Sequence, residues 1–214
     1  MGSSNSYQPL STIDGGVLSV PNGALLDFGK NFAGHGQVNG DFQNNGDVFG
    51  GTGGETLEFL GLLTGVGDFS NDVTMTGGYS PGLSPAEIDL ETVTFSASNL
   101  LTIELGGLLP GIEHDVLNAS VTANLGGTLL VQLLNGHNPQ LGNAYDIFNF
   151  AVTNGSFDDL FLPGLDPGLL WDISTLVDDG VLRVAAIPEP SSVALAALML
   201  VSPSIVGWRR RRRK

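Results

Sequence analysis

A chain of 214 residues with 31 glycines and 14% charged side chains has room for one sizeable domain or an elongated repeat array. Glycine at that level, beside abundant Leu, Val and Thr, favours short strands joined by tight turns. A helical bundle, which would need more Ala, Glu and Lys, is excluded. The net charge of -14 is unevenly spread, because six of the eight Lys and Arg residues fall at 209–214 and only Lys30 and Arg183 precede them. An acidic body of this kind repels phosphate backbones, which excludes nucleic-acid binding, and the absence of cysteine excludes disulfides and thiolate chemistry.

The chain opens with a polar segment, and residues 1–20 contain neither the basic n-region nor the apolar h-region of a secretory signal. Residues 1–33 are therefore expected to be a flexible N-terminal segment or a fragment of earlier turns, the start being misassigned or belonging to a longer precursor. From 34 to 186 short alternating segments are separated by Gly, Asn and Asp. Two early stretches look alike: Gly34-His-Gly-Gln-Val-Asn-Gly-Asp-Phe-Gln-Asn-Asn-Gly and Gly65-Val-Gly-Asp-Phe-Ser-Asn-Asp-Val. Each joins a Gly-x-Gly or Asn-Gly turn to Asp-Phe and then Asn, as units that stack to share a core would. Between them, Gly50-Gly-Thr-Gly-Gly-Glu-Thr-Leu-Glu fits a calcium-binding nonapeptide, except that Glu55 stands where Asp is usual.

Val73 and Met75, Val93, Phe95 and Ala97, Leu101, Ile103 and Leu105, then Leu129, Val131 and Leu133 alternate with polar neighbours. Tyr145 with Ile147 and Leu182 with Val184 continue the pattern. Period two with polar partners predicts half-buried strands. Turn signals recur at Asn39-Gly40, Asn45-Gly46, Asn135-Gly136, Asn154-Gly155 and Asp179-Gly180. Two architectures fit, a parallel β-helix and a β-sandwich. The run from Gly77 to Gly82, Leu101-Thr-Ile-Glu-Leu-Gly-Gly, Asp115-Val-Leu, Leu125-Gly-Gly-Thr-Leu, Gly142-Asn-Ala-Tyr-Asp-Ile-Phe, Gly155-Ser-Phe, Trp171-Asp-Ile-Ser and Asp179-Gly-Val-Leu resemble, in that order, the repeats of autotransporter-type β-solenoids. That resemblance implies a passive surface scaffold or adhesin and brings no catalytic residues with it.

Chemistry-bearing residues are sparse. Gly78-Tyr-Ser-Pro-Gly82 matches a serine-hydrolase nucleophile elbow with His114 and His137 downstream, but Pro81 removes an N–H that the oxyanion hole needs, so Ser80 reads as part of a turn. His35, His114 and His137 lack metal-ligand spacing, and Glu113-His114-Asp115 on a strand would point to alternate faces. Acidic pairs, Asp158 with Asp159 and Asp178 with Asp179, are candidate calcium ligands, or else a solvated face. No other cofactor is expected. Asn118-Ala-Ser120 and Asn154-Gly-Ser156 match glycosylation sequons.

The tail is the most specific segment. Pro188-Glu189-Pro190 breaks any helix, and residues 191–208 form an uncharged, mostly apolar stretch containing Pro203 and ending in Trp208. Arg209, Arg210, Arg211, Arg212 and Arg213 then form a stop-transfer block that stays in the cytoplasm, which places the acidic body outside it. Pro-Glu-Pro, an apolar helix and a terminal Arg run, in that order, closely resemble the PEP-CTERM sorting signal. The resemblance implies recognition by an exosortase-type enzyme at the inner membrane, often in bacteria that make exopolysaccharide.

The sequence thus predicts an all-β chain with a right-handed parallel β-helix over 34–186, or alternatively a β-sandwich, followed by a C-terminal transmembrane helix in a sorting signal over 187–214. It predicts a non-enzymatic, exported structural or adhesive protein of the cell surface or extracellular matrix, or alternatively a carbohydrate-binding module.

Overall fold

A computed structural model describes residues 11–82 and 84–188. Over these residues the chain is almost entirely strand and turn, and it visits two parallel sheets in alternation. β1 (Ser11–Ser19) opens sheet one and β2 (Ala24–Leu26) sheet two, followed by β3 (Asn31–Asn39) in the first and β4 (Phe42–Asn44) in the second. β5 (Asp47–Phe49) and β6 (Leu57–Phe59) return to sheet one, β7 (Leu62–Gly65) to sheet two, then β8 (Asp68–Met75) and β9 (Gly78–Pro81) repeat the step. β10 (Glu87–Phe95) and β12 (Val116–Leu125) extend sheet one, and β11 (Leu100–Leu105) and β13 (Thr128–Leu133) extend sheet two. After β14 (Ala144–Asp146), β15 (Phe148–Phe150) and β16 (Thr153–Gly155) close sheet one and β17 (Asp159–Phe161) closes sheet two. β18 (Leu169–Asp172), the single helical turn α1 (Leu176–Asp179) and β19 (Val181–Ala186) complete the chain. Sheet one has nine strands and sheet two seven.

Every pairing within these two sheets is parallel, so each turn lies on the one before it. Antiparallel pairing joins β14, β19 and β18 in a small third sheet. A sandwich built from antiparallel strands is therefore not what forms. Sheet one is creased along its length: the register shifts between Asp14 and Val17 and between Leu90 and Thr92, and the strand is interrupted between β5 and β6 and between β15 and β16. Such bulges bend a strand without ending it. Side-chain ladders step by 21 residues in the early turns (Asp41 to Leu62, Asp68 to Asp89) and by 30 in the later ones (Thr94 to Asn124, Asn124 to Asn154). The added residues go largely into loops such as 106–115.

Alternation delivers one side chain in two to the interior. On sheet two the inward column is Ala24, Phe42, Leu63, Tyr79, Leu101, Leu129 and Leu160, each paired to the next. On sheet one Phe32, Val48, Phe69, Leu90 and Ala119 align in the same way. Beyond the crease, Leu57, Val73, Val93 and Ala123 form another column, all buried. Rings from facing columns meet in the middle: Phe32, Phe42, Phe59, Phe69 and Tyr79 form a chain with centroid separations of 5.6, 5.3, 6.3 and 6.1 Å. These are favourable tilted and edge-on distances.

The expected strands around Val73, Val93, Leu101, Leu129 and Val184 form as read. The expected repeat alignment does not. Asp41-Phe42 leads into β4 of sheet two whereas Asp68-Phe69 begins β8 of sheet one, and the true partner of Asp68 is Asp47. β3 spans position 33/34, and β1 and β2 pair with β3 and β4 of the following turn. Asn154-Gly155 lies in β16 rather than a turn, while Asn135-Gly136 does turn, with φ of 53° and 70°. The apolar tail beyond Pro188 lies outside the described residues, and among those described no helix is long and apolar enough to cross a membrane.

Candidate functional site

Stacked parallel strands carry each outward residue type into a column, so surface chemistry is set by register. One column on sheet one runs Asn31, Asp47, Asp68, Asp89, Asn118, Asn149. Three of its members are consecutive carboxylates at the strand spacing of about 4.8 Å. The Asp89 N–H donates to Asp68 Oδ1 at 3.0 Å, and Asn118 Nδ2 donates to Asp89 Oδ1 at 2.9 Å and to Glu87 Oε1 at 2.9 Å. Partial burial raises the Asp68 pKa, the Asp89 N–H lowers it, and the neighbouring Asp89 and Asp47 charges raise it again.

Past the crease the column is Gln37, Glu58, Thr74, Thr94, Asn124, Asn154. Here the side chains bond to one another along the stack. Gln37 Nε2 donates to Glu58 at 2.8 Å, Asn124 Nδ2 to Thr94 Oγ1 at 3.0 Å, and Asn154 Nδ2 to Asn124 Oδ1 at 3.0 Å. Beside them Asp72, Thr92 and Thr122 align as a further column. The later turns of this face thus present neutral hydroxyl and amide groups on an otherwise acidic body.

Ser80 sits mid-strand in β9, partly exposed, with Tyr79 and Pro81 turned inward on either side. The next element is β10, so among the described residues Ser80 lies on a strand rather than in the expected turn, and no strand-to-helix elbow follows it. His35 faces Glu55 at 3.3 Å and Asp14 at 3.8 Å across neighbouring turns, which ties the glycine-rich 50–58 segment to the crease. Among the described residues no group of three or more His, Asp or Glu is placed to hold a metal ion. Asp158 Oδ2 accepts the Gly127 N–H at 2.8 Å, while Asp178 and Asp179 lie on α1. Depressions of about 410 Å³ beside β2 and β4, and about 380 Å³ beside Asp89 and Asn118, are shallow surface features rather than enclosed sites.

No protein-family model, characterised protein or solved structure matches the chain.

Glu113, His114 and Asp115 lie not on a strand but in the loop between β11 and β12. The three side chains all turn back onto backbone. Glu113 Oε2 accepts the Leu108 and Leu109 N–H groups at 2.9 and 3.1 Å, and His114 Nδ1 lies 3.2 Å from the Gly107 carbonyl. Asp115, fully buried, accepts the Ala86 and Glu104 N–H groups at 2.8 Å each. Burial pushes the Asp115 pKa up to about 7, against the lowering effect of those two N–H groups and with help from the Glu104 charge. Burial also holds His114 below the ordinary histidine value, partly offset by the Gly107 carbonyl.

Beside this loop, Tyr145 shares a 2.7 Å hydrogen bond with His137 and packs edge-on against His114 and tilted against Trp171. Burial raises the Tyr145 pKa to about 12. Pro188 is exposed, two residues past β19, and the rest of the expected sorting signal, Glu189, Pro190 and Arg209 to Arg213, lies outside the described residues.

Proposed function

We propose that this chain is an exported structural or adhesive protein of the bacterial cell surface or extracellular matrix. Its body is a right-handed parallel β-helix, delivered by a C-terminal sorting signal that an exosortase-type enzyme processes at the inner membrane. The observation that carries the reading is the tail: Pro188-Glu189-Pro190, an uncharged run of the length a bilayer requires, and a terminal arginine block. The body supports it, since stacked parallel turns with outward columns of repeated chemistry suit display rather than turnover. Pro188, the first residue of the motif, is exposed two residues past β19.

A neutral face of Thr74, Thr92, Thr94, Thr122, Asn124 and Asn154 favours, as a second reading, contact with a hydroxyl-rich matrix polymer such as exopolysaccharide. Intact mass of the protein recovered from its native cells is the test. A chain ending near Pro188 or Pro190 is the expected result. A chain still ending at Lys214 in the mature, surface-exposed fraction would withdraw the sorting reading and leave an ordinary membrane anchor.

A further inference from the structure

The loop 106–115 is a ten-residue excursion pinned by an unusual set of contacts. Its neck is closed by the Gly106 N–H donating to the Glu113 carbonyl at 2.6 Å and the Asp115 N–H donating to the Glu104 carbonyl at 3.0 Å. Inside the neck the Asp115 carboxyl, without any exposure, joins two separate places in the stack: Ala86 just ahead of β10 and Glu104 in β11. At its far end the loop carries Leu108, Leu109 and Ile112, exposed by 46, 55 and 73%. A ring of polar contacts at the base thus holds an apolar tip out in solvent.

The groups facing Asp115 give it no counter-charge. Glu104 faces it from β11, and the Tyr79 hydroxyl, buried without a hydrogen-bond partner, feels its charge from β9. Glu87 of β10 lies against Gly111, and Glu113 and His114 share the loop itself. Lys30 and Arg183, the cations of the described residues, form no ion pair with it. We propose that Glu113, His114 and Asp115 form a latch whose grip on the 106–115 loop tightens in acid and loosens as the medium reaches neutrality, with the Asp115 carboxyl as the sensor.

The sign follows from linkage. A carboxyl titrating near neutrality when closed, but in the ordinary carboxylate range when released to water, favours the closed loop at low pH. The closed form then loses ground as pH rises, and the loss levels off above the closed-state value. For Asp115 alone, opening becomes about tenfold more favourable per pH unit over that window. His114, held below its ordinary value in the closed loop, works against Asp115 within this window, since protonation of a released imidazole favours opening in acid. The larger Asp115 shift sets the net direction, and His114 makes the slope shallower.

The test is amide hydrogen exchange of the full chain between about pH 5 and pH 8, with each rate divided by its intrinsic pH dependence. For residues 104–116 the corrected rates are expected to rise with pH and flatten above neutrality, while amides of β8 and β10 stay flat. In Asp115→Asn, whose amide keeps one acceptor but turns a donor toward one of the two N–H groups, exchange is expected to be faster and to lose its rise with pH, leaving only the opposite, acid-side trend of His114. Should that variant fail to fold, Glu104→Gln serves instead. Loss of the neighbouring charge is expected to move the flattening point to lower pH. Corrected rates that are flat in the unaltered chain, a rise with pH that survives in Asp115→Asn, or an unmoved profile in Glu104→Gln would overturn the proposal.

Discussion

Tyr79 illustrates how a single column position can be wrong for its side chain and yet right for the fold. Its ring continues the aromatic chain from Phe69 at 6.1 Å, and it stands in register between Leu63 and Leu101. Its hydroxyl, however, is buried with no partner, and burial first, then the Asp115 and Asp68 charges, push its pKa well above the usual phenol value. An unsatisfied buried hydroxyl carries its desolvation cost with no compensating bond. Tyr79→Phe keeps the ring and removes the cost, so it is expected to stabilise the chain by about 1 kcal/mol in urea unfolding. Destabilisation would mean that the hydroxyl has a partner, most simply a buried water. Asn44 is the opposite case. It is equally buried, but its Oδ1 accepts the Gly46 N–H at 3.1 Å and its Nδ2 donates to the Asp68 carbonyl at 3.2 Å, so it staples a corner to the next turn.

At the scale of the element, the corners decide where the abundant glycine goes. Gly40, Gly61 and Gly77 follow strands of sheet one in successive turns, and a Cβ on Gly61 or Gly77 would strike the carbonyl of the glycine one turn before it. Backbone cannot yield as a side-chain tip can. Gly61→Ala is therefore expected to cost about 2–3 kcal/mol, as overpacking does. Gly164→Ala meets nothing within 4 Å and has no left-handed φ, so it is expected to be neutral or to stabilise slightly. Equal losses in the two variants, measured by denaturant unfolding, would show that the corner is not tightly stacked.

The same corners explain what was legible in the sequence. Strands around Val73, Val93, Leu101 and Leu129 could be read because period-two alternation is local, and the glycine content announced tight turns. Register could not be read, because each turn offers several short strands with near-identical patterns. Asp41-Phe42 and Asp68-Phe69 look like copies, yet the one leads into sheet two and the other begins sheet one. The recurrence that does mark the stack is Asp47, Asp68 and Asp89, one outward residue in each of three consecutive turns. Glu113, His114 and Asp115 are visible in the sequence as a cluster, but their geometry is not. Strand geometry would send neighbours to opposite faces, whereas a loop lets all three fold back onto backbone.

For the whole molecule, the dominant electrostatic fact is self-repulsion. The body carries almost all of the acidic groups and only Lys30 and Arg183 to offset them, and the stack concentrates part of that charge in the Asp47, Asp68, Asp89 column. Neighbours about 4.8 Å apart at a surface lie well within the screening length of about 10 Å at 0.1 M salt. Added salt shortens that length to about 3 Å at 1 M, so the urea midpoint is expected to climb as sodium chloride is raised. Asp68 supplies the decisive comparison. In Asp68→Asn the amide oxygen still accepts the Asp89 N–H, but the central charge is gone. That variant is expected to have a higher midpoint at low salt and a shallower rise with added salt.

Acidification works in the same direction. The Asp68 pKa is raised in the folded chain, so the stability that protonation restores is full in acid and lost as pH rises through the folded-state value. A midpoint that ignores salt, or an Asp68→Asn substitution that leaves the salt slope unchanged, would mean that solvent already screens the column. The acidic face would then be a matter of solubility and of repelling like-charged polymer rather than of stability.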